Sequence, residues 1–285
     1  MCNNDGTRTS RIRNLKLHHH PTTAGPQKIT MKFLITNDDG FDAPGLAALY
    51  EALAPLGEVR VVAPAVCHSA KGHAVNTHSP IRIERREVAP FGPIEIVESS
   101  PADCIRVGLC APGAERPDFV VAGINPGANL GVDLFYSGTA AAARESAILG
   151  VPSLALSRYI RADHSVNWTA LSQHVTRIVS LLTSDEHRLD TGHFWNVNFP
   201  AIDDDAHPPD ITFATQSLLA HDIRFRPAAI QPDGNGSVTM LEYAGEYKSR
   251  GKTGTCDVSH VFENRIVATP IDLCTTAKHA SVAKS

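Results

Sequence analysis

Short apolar runs alternate with stretches of helical spacing along most of this chain. Lys32–Thr36 carries Phe33, Leu34 and Ile35 without a polar break and predicts a buried strand, which ends in Asn37-Asp38-Asp39-Gly40. A helix is expected from Pro44 to Leu56: Pro44 suits the first turn, and Leu46, Leu49, Leu53 and Leu56 form one stripe. Glu58–Ala63 and Ile94–Glu98 read as strands, and Ala102–Cys110 as a short helix after Ser100-Pro101. Asp118–Ala122 is a further apolar strand that stops at Gly123-Ile124-Asn125. Thr139–Leu149 is Ala-rich and helical, closed by Gly150. Pro152–Leu156 leads into another strand, Val166–Leu182 has helical spacing, and Phe194–Phe199 is a strand closed by Pro200. Near-continuous apolar strands separated by helices predict an α/β fold with a mostly parallel sheet covered on both faces. In such sheets ligands sit beyond the carboxyl ends of the strands. The polar clusters Asn37–Gly40, His68–His73, Gly123–Asn129 and Tyr136–Thr139 all follow strands or precede helices, so they are expected to converge on one crevice.

The texture changes near Asp203–Asp205 and Pro208-Pro209. Ile211–Thr215 and Ser237–Tyr243, around a Pro232-Asp233-Gly234-Asn235-Gly236 turn, predict a hairpin arm, with a last apolar strand near Arg265–Thr269. The chain is thereby divided into a leader over residues 1–30, an α/β catalytic domain over 31–205, and a hairpin arm serving oligomerisation over 206–285.

Composition narrows the class. With 285 residues, 42% of them hydrophobic, the chain can bury one large α/β core. Its 26 basic and 30 acidic residues lack the basic excess of a nucleic-acid binder. No stretch of 18 residues is apolar enough to span a membrane. The leader is basic (Arg8, Arg11, Arg13, Lys16 and Lys28 against Asp5), which leaves an acidic body. It has neither the apolar segment of a secretory signal nor an amphipathic period, so a disordered extension or an upstream coding start is expected rather than a transit peptide. Six scattered cysteines without a CxxC pair read as free thiols of a reducing, cytoplasmic compartment.

Three features carry candidate chemistry. Asp38-Asp39 at a strand end places two carboxylates that repel unless a cation or a proton intervenes, and a hard divalent metal fits them. The competing reading is a helix cap or an Asx-turn. Gly123–Gly131 spaces three glycines four apart, with Asn125 and Asn129 between them. Glycine permits close backbone approach, and the amides offer neutral oxygen ligands or donors. Tyr136-Ser137-Gly138-Thr139 opens the Ala-rich helix, and hydroxyls with unpaired N–H groups at a helix N-terminus can cradle a phosphate. Ser137 or Thr139 as a plain N-cap is the alternative. His68 and His73 can be read either as proton donors to a leaving oxygen or as solvent-exposed loop histidines.

Taken together, MKFLITNDDG, EVRVVAP, SSPADC, PDFVVAGINPGANLG, YSGTAAAA and WNVNFP resemble, in order and spacing, the SurE (stationary-phase survival protein) family of nucleotidases over about Met31 to Leu273. The resemblance implies a Rossmann-like three-layer fold. It also implies hydrolysis of 5′- and 3′-nucleoside monophosphates with one Mg²⁺ or Mn²⁺ ion per subunit, and homodimers or homotetramers exchanging C-terminal elements. The implied metal ligands are Asp38, Asp39, Ser69 and Asn125, with Asp38 and Asp39 catalytic. Asn129, Ser137, Gly138 and Thr139 match the phosphate-contacting positions. His68 and Ala122 replace the usual Arg and Ser, and a C-terminal helix is hard to find in the short polar segment Ala277–Ser285. Two alternatives are a non-catalytic phosphate or nucleotide binder and a broad phosphatase or exopolyphosphatase without base preference.

Overall fold

A computed structural model describes residues 30–161, 165–201, 208–233, 236–251 and 254–274. The leader, the Asp203–Asp205 boundary and the Ala277–Ser285 segment lie outside the described residues.

The chain opens with β1 (Met31–Thr36), α1 (Pro44–Leu53), β2 (Gly57–Pro64), β3 (Ile83–Val88), β4 (Gly92–Val97) and α2 (Pro101–Cys110). It continues through β5 (Phe119–Pro126), α3 (Gly138–Ile148), β6 (Ser153–Arg158), α4 (Trp168–Leu182) and β7 (His193–Phe199). The last part holds β8 (Ile211–Phe213), β9 (Phe225–Asp233), β10 (Gly236–Tyr243), α5 (Asp257–Phe262) and β11 (Ile266–Asp272). Nine strands form one sheet in the order β3-β4-β2-β1-β5-β6-β7-β11-β8. It is parallel except at the β3–β4 and β7–β11 pairs.

Alternation along β1 explains why both faces are covered. Phe33 and Ile35 join the cluster with Leu46, Leu49 and Leu53 of α1 and Val175 and Ile178 of α4. Leu34 between them joins Ile105 of α2 and Ala142 of α3 on the opposite face. Each fully buried aliphatic side chain of this kind contributes roughly 1.5–3 kcal/mol relative to exposure, so the three-layer arrangement follows from the two-residue period of the strand. The helix α1 ends at Leu53, short of Leu56, because Pro55 has no N–H to continue the ladder.

Two differences from the sequence reading have clear causes. Strand β3 (IERREV) escaped it because an exposed charged edge strand lacks an apolar signature; its Arg85 instead pairs with Glu95 of β4 at 3.1 Å. Strand β5 does not stop at Gly123 but runs to Pro126, with a register irregularity between Ala122 and Asn125. Gly123 has φ 135°, and a Cβ there would lie 2.4 Å from the Leu156 carbonyl oxygen, so only glycine fits. Past the expected boundary, β8 and β11 complete the main sheet, while β9 and β10 form a separate antiparallel hairpin.

Candidate active site

The central strands β2, β1 and β5 run parallel, so their following loops leave from the same rim of the sheet. Thr36 pairs with Ala122, which brings Asn37–Asp39 and Gly123–Asn125 out side by side. After β1 the chain turns sharply: Asn37 Nδ2 donates to the Gly40 carbonyl at 2.7 Å, and Gly40 takes φ 112°. The N-cap of α1 is Ala43, with no side-chain cap bond, so neither aspartate caps that helix. The short-range turn bond belongs to Asn37, and the bland reading of Asp38-Asp39 therefore falls away.

Asp38 is 4% exposed. Its carbonyl oxygen accepts from the His68 N–H at 2.7 Å, and its Oδ1 accepts from the Thr139 hydroxyl at 2.5 Å. Gly138 makes that approach possible, since a Cβ there would sit 2.8 Å from Asp38 Cβ and 2.9 Å from Oδ2. Burial raises the Asp38 carboxyl above its ordinary pKa, opposed by the Thr139 hydrogen bond. Asp39 is pushed up to about 6, first by burial and then by the charge of Asp38. Its Oδ2 is buried with no hydrogen-bond partner. Two adjacent carboxylates that no Lys or Arg among the described residues pairs with, one with an orphaned oxygen, could hold a cation.

The loop after β2 carries Ser69, which is exposed and lies 3.0 Å from the Cys67 sulfur. The His68 bond holds this loop against Asp38, and Gly72 N–H donating to the Tyr136 carbonyl at 3.0 Å ties it to the turn before α3. His73 is neither free nor solvent-facing: Nε2 lies 2.8 Å from Glu145 Oε2, and Arg106 Nε donates to Glu145 Oε1 at 2.9 Å. The His73 bond keeps the Glu145 carboxyl below its usual range against the opposing effect of burial. His73 thus fastens the Ser69 loop to α3. His68 is half-buried, and burial followed by Lys71 lowers its pKa.

At the end of β5, Asn125 Nδ2 donates to the Gly127 carbonyl at 2.6 Å, which commits the NH₂ and leaves the amide oxygen as the group it can offer a cation. Asn129 is buried beneath the loop, its Nδ2 donating to Ser157 Oγ at 2.7 Å. Ser137 is the N-cap of α3 and accepts from Ala140 N–H at 3.0 Å. The start of that helix packs against Asp38 through Gly138 and the Thr139 hydroxyl. Of the residues singled out in the sequence, Asp38, Gly138 and Thr139 are in mutual contact, the Ser69 loop is tied to Asp38 through the His68 N–H, and Asn129 is held by Ser157, Asn196 and Asn198.

Among the described residues no group of three or more His, Cys, Asp or Glu could hold a metal. The donors expected from the sequence are two carboxylates, a hydroxyl and an amide, an all-oxygen set that would suit a hard divalent cation. A different cleft of about 390 Å³, lined by Lys32, Glu58, Arg60, Arg85, Glu95 and Glu115, lies at the amino ends of β1 and β2. Most of its charges are paired with one another, Lys32 with Glu115 at 2.9 Å and Arg60 with Glu95 at 2.5 Å.

The sequence reading assigned no role to Asn196 and Asn198. Both are 1% exposed in β7, and their Nδ2 atoms donate to the Asn129 carbonyl at 2.9 and 3.1 Å. The signal was present: two asparagines two apart, hence on one face, in an otherwise apolar strand between Phe194 and Phe199.

A sequence profile described as "Survival protein SurE" matches residues 33–220. The chain is 35% identical over 247 residues to "5′-nucleotidase SurE" of Chloroflexus aggregans, covering 87% of this chain and 95% of that one. It is 44% identical over 172 residues to the protein of the same name from Geotalea uraniireducens, covering 60% and 66%. The crystal structure of the SurE protein from Aquifex aeolicus superposes with a TM-score of 0.72 at 32% identity, covering 86% of this chain and 94% of that one.

Proposed function

The chain belongs to the SurE family, and from that membership we propose that it is a phosphomonoesterase that releases phosphate from 5′- and 3′-nucleoside monophosphates with the help of one divalent cation. The observation that carries this reading is the Asp38-Asp39 pair, the first buried and the second half-buried with a partnerless oxygen. Asp38, Asp39, Ser69 and Asn125 would hold the cation. When bound, an ion of the Mg²⁺ or Mn²⁺ kind supplies charge against the phosphate oxygens and acidifies water.

The chain's own residues do the rest. Ser137 and the Gly138 N–H at the start of α3 bind the phosphoryl oxygens as negative charge shifts toward the leaving oxygen, while Thr139 keeps its hydroxyl on Asp38 and fixes that carboxylate beside them. Asn129 backs the same oxygens from the GIN turn. Asp39 takes the proton of the attacking water, since Asp38 Oδ1 is already engaged by Thr139. The nucleoside leaves in line with the attack. Outside the crevice, exposed Phe225, Met240, Leu241 and Tyr243 on the β9–β10 hairpin suit pairing with a second copy in a homodimer or homotetramer. No helix of the described residues is long and apolar enough to cross a membrane. The thiols of Cys67, Cys104, Cys110 and Cys274 accord with a cytoplasmic setting.

The test is phosphate release from a panel of nucleoside monophosphates, polyphosphate and p-nitrophenyl phosphate, with Mg²⁺, Mn²⁺ or a chelator. Release that depends on the cation and favours nucleotides is expected. Binding without release would sink the enzymatic reading, and release indifferent to chelator would sink the role of the aspartate pair.

A further inference from the structure

The turn Ala128–Leu130 lies outside the helices and ladders, and Gly131 opens a short 3-10 turn (Gly131–Phe135), so most of their backbone groups need partners from elsewhere. Side chains provide them almost without gap. The Ala128 carbonyl accepts from the Tyr247 hydroxyl at 3.1 Å. Asn129 N–H donates to Asn198 Oδ1 at 2.8 Å, and its carbonyl accepts from Asn196 and Asn198. Leu130 N–H donates to Asp133 at 3.0 Å, and its carbonyl accepts from Arg250 Nη1 at 3.1 Å. Gly131 N–H donates to Asp257 Oδ2 at 2.7 Å, and its carbonyl accepts from Gln216 Nε2 at 2.8 Å.

Four of these partners, Gln216, Tyr247, Arg250 and Asp257, lie past the boundary that the sequence texture draws, in the part of the chain assigned to the arm. Tyr247 and Arg250 converge on Asp133, while Gln216 and Asp257 hold Gly131 directly. Arg250, 6% exposed, donates to both Asp133 oxygens at 2.8 and 3.0 Å. The Tyr247 hydroxyl shares its one hydrogen between Oδ2 at 2.7 Å and the Ala128 carbonyl, and His221 Nε2 lies 2.7 Å from Oδ1. The Arg250 guanidinium also stacks 3.8 Å from the Tyr247 ring centre. A planar cation bonded through two nitrogens to one carboxylate fixes distance and angle together.

The geometry points to the segment Gln216–Asp257 as the frame that positions the phosphate-binding turn, with Arg250 the central positioning residue acting through Asp133 and the Leu130 carbonyl on Asn129. This inference rests on the phosphate-binding role given to Asn129 above. Arg250 itself is occupied by Asp133 and the Leu130 carbonyl. The hairpin β9–β10 springs from between His221 and Tyr247, both of which touch Asp133, so the arm and the turn share one anchor.

The experiment compares full-length wild type with Arg250→Met, Arg250→Lys and Asn129→Ala, and with Asn129→Ala combined with Arg250→Met. Hydrogen exchange of peptides spanning 127–133 is read first, and it requires no activity. In Arg250→Met these amides should exchange about tenfold faster while peptides of β1 keep their protection. Next, kcat/KM for a nucleotide should fall roughly 10- to 100-fold, as expected when a supporting partner is lost. The rise should be mainly in KM, with partial rescue in Arg250→Lys. In the Asn129→Ala background the second substitution should cost less than about threefold more, because the two act through one element. Fully additive losses, or unchanged exchange over 127–133, would overturn the inference. If Arg250→Met does not fold, Tyr247→Phe, which deletes only a hydroxyl, decides by the same exchange and KM readouts. A wild type without phosphatase activity would sink the proposed function, while the exchange result would still decide whether this segment frames the turn.

Discussion

The two rims of the sheet present the same kinds of residue and opposite outcomes. At the amino rim, Glu95 is held by Arg60 at 2.5 Å and Arg85 at 3.1 Å; burial pushes its carboxyl upward, but the two arginines outweigh that and leave it below its ordinary pKa. At the carboxyl rim, Asp38 and Asp39 are displaced upward, and no arginine or lysine among the described residues pairs with them. In the first cleft the buried carboxylate is answered by the chain's own cations. In the second it is left open, and a bound cation and phosphate would complete it; unsatisfied charge is the guide to the site here.

The sharpest way to break this comparison is Asp39→Asn. Removing one carboxylate of the pair should lower kcat about 10³-fold, the scale of several kcal/mol of lost charge stabilisation. The fold should survive, since no hydrogen bond leaves Asp39 Oδ2. Phosphate release measured beside a thermal melt checks both halves, and a variant with near-wild-type turnover would dissolve the distinction between the rims.

Proton linkage gives a smaller effect with a definite sign. Asp39 has its folded pKa at about 6, above the ordinary 3.8, so between those values the native state holds more protons than the unfolded one. The cation-free protein therefore gains stability as pH falls through 6 toward 4 and loses it as pH rises. A cation requires the ionised form, so its affinity should drop about tenfold per pH unit below 6. Calorimetric titration with Mn²⁺ at pH 7.5, 6 and 5 measures this, and pH-independent binding would contradict it. Ser137→Ala comes next in size: losing the N-cap bond to Ala140 should cost about 1 kcal/mol of stability and reduce kcat/KM about tenfold. A chemical denaturation curve and initial rates separate the two contributions.

Much of this was legible in the chain. The Phe33–Ile35 run, the leucine stripe of α1 and the Ala-rich α3 each follow from periodicity, which is a local property. That the loops carrying Asp38 and Asn125 leave the same rim followed from a parallel sheet. Edge strand β3 was hidden because its stabilising contacts are cross-strand ion pairs, invisible to an apolar pattern. Asp133 and Arg250 were hidden for a different reason. They stand 117 residues apart, and nothing local marks a buried Asp as the partner of a distant Arg. His73 was misread for the same reason, since its carboxylate partner lies on α3, 72 residues away.

The smallest effect concerns the completed rim and tests whether it is independent of the unfinished one. Glu95→Gln keeps the shape and one acceptor for Arg60 but removes the charge that both arginines face. Because Arg60 and Arg85 are partly solvated, the loss should be only about 0.5–1 kcal/mol. Its pH dependence runs opposite to that of Asp39. A carboxyl held below its ordinary value contributes stability above pH 4.5, and that contribution disappears as pH falls through the folded pKa. Urea midpoints of wild type and variant should therefore differ at pH 7 and converge toward pH 4, while phosphate release at neutral pH stays within about twofold, as expected for an exposed pair remote from the chemistry. A tenfold fall in release would mean that the amino-rim charges reach the site through β1 and β2, and that a satisfied cleft can still govern an unsatisfied one across the sheet.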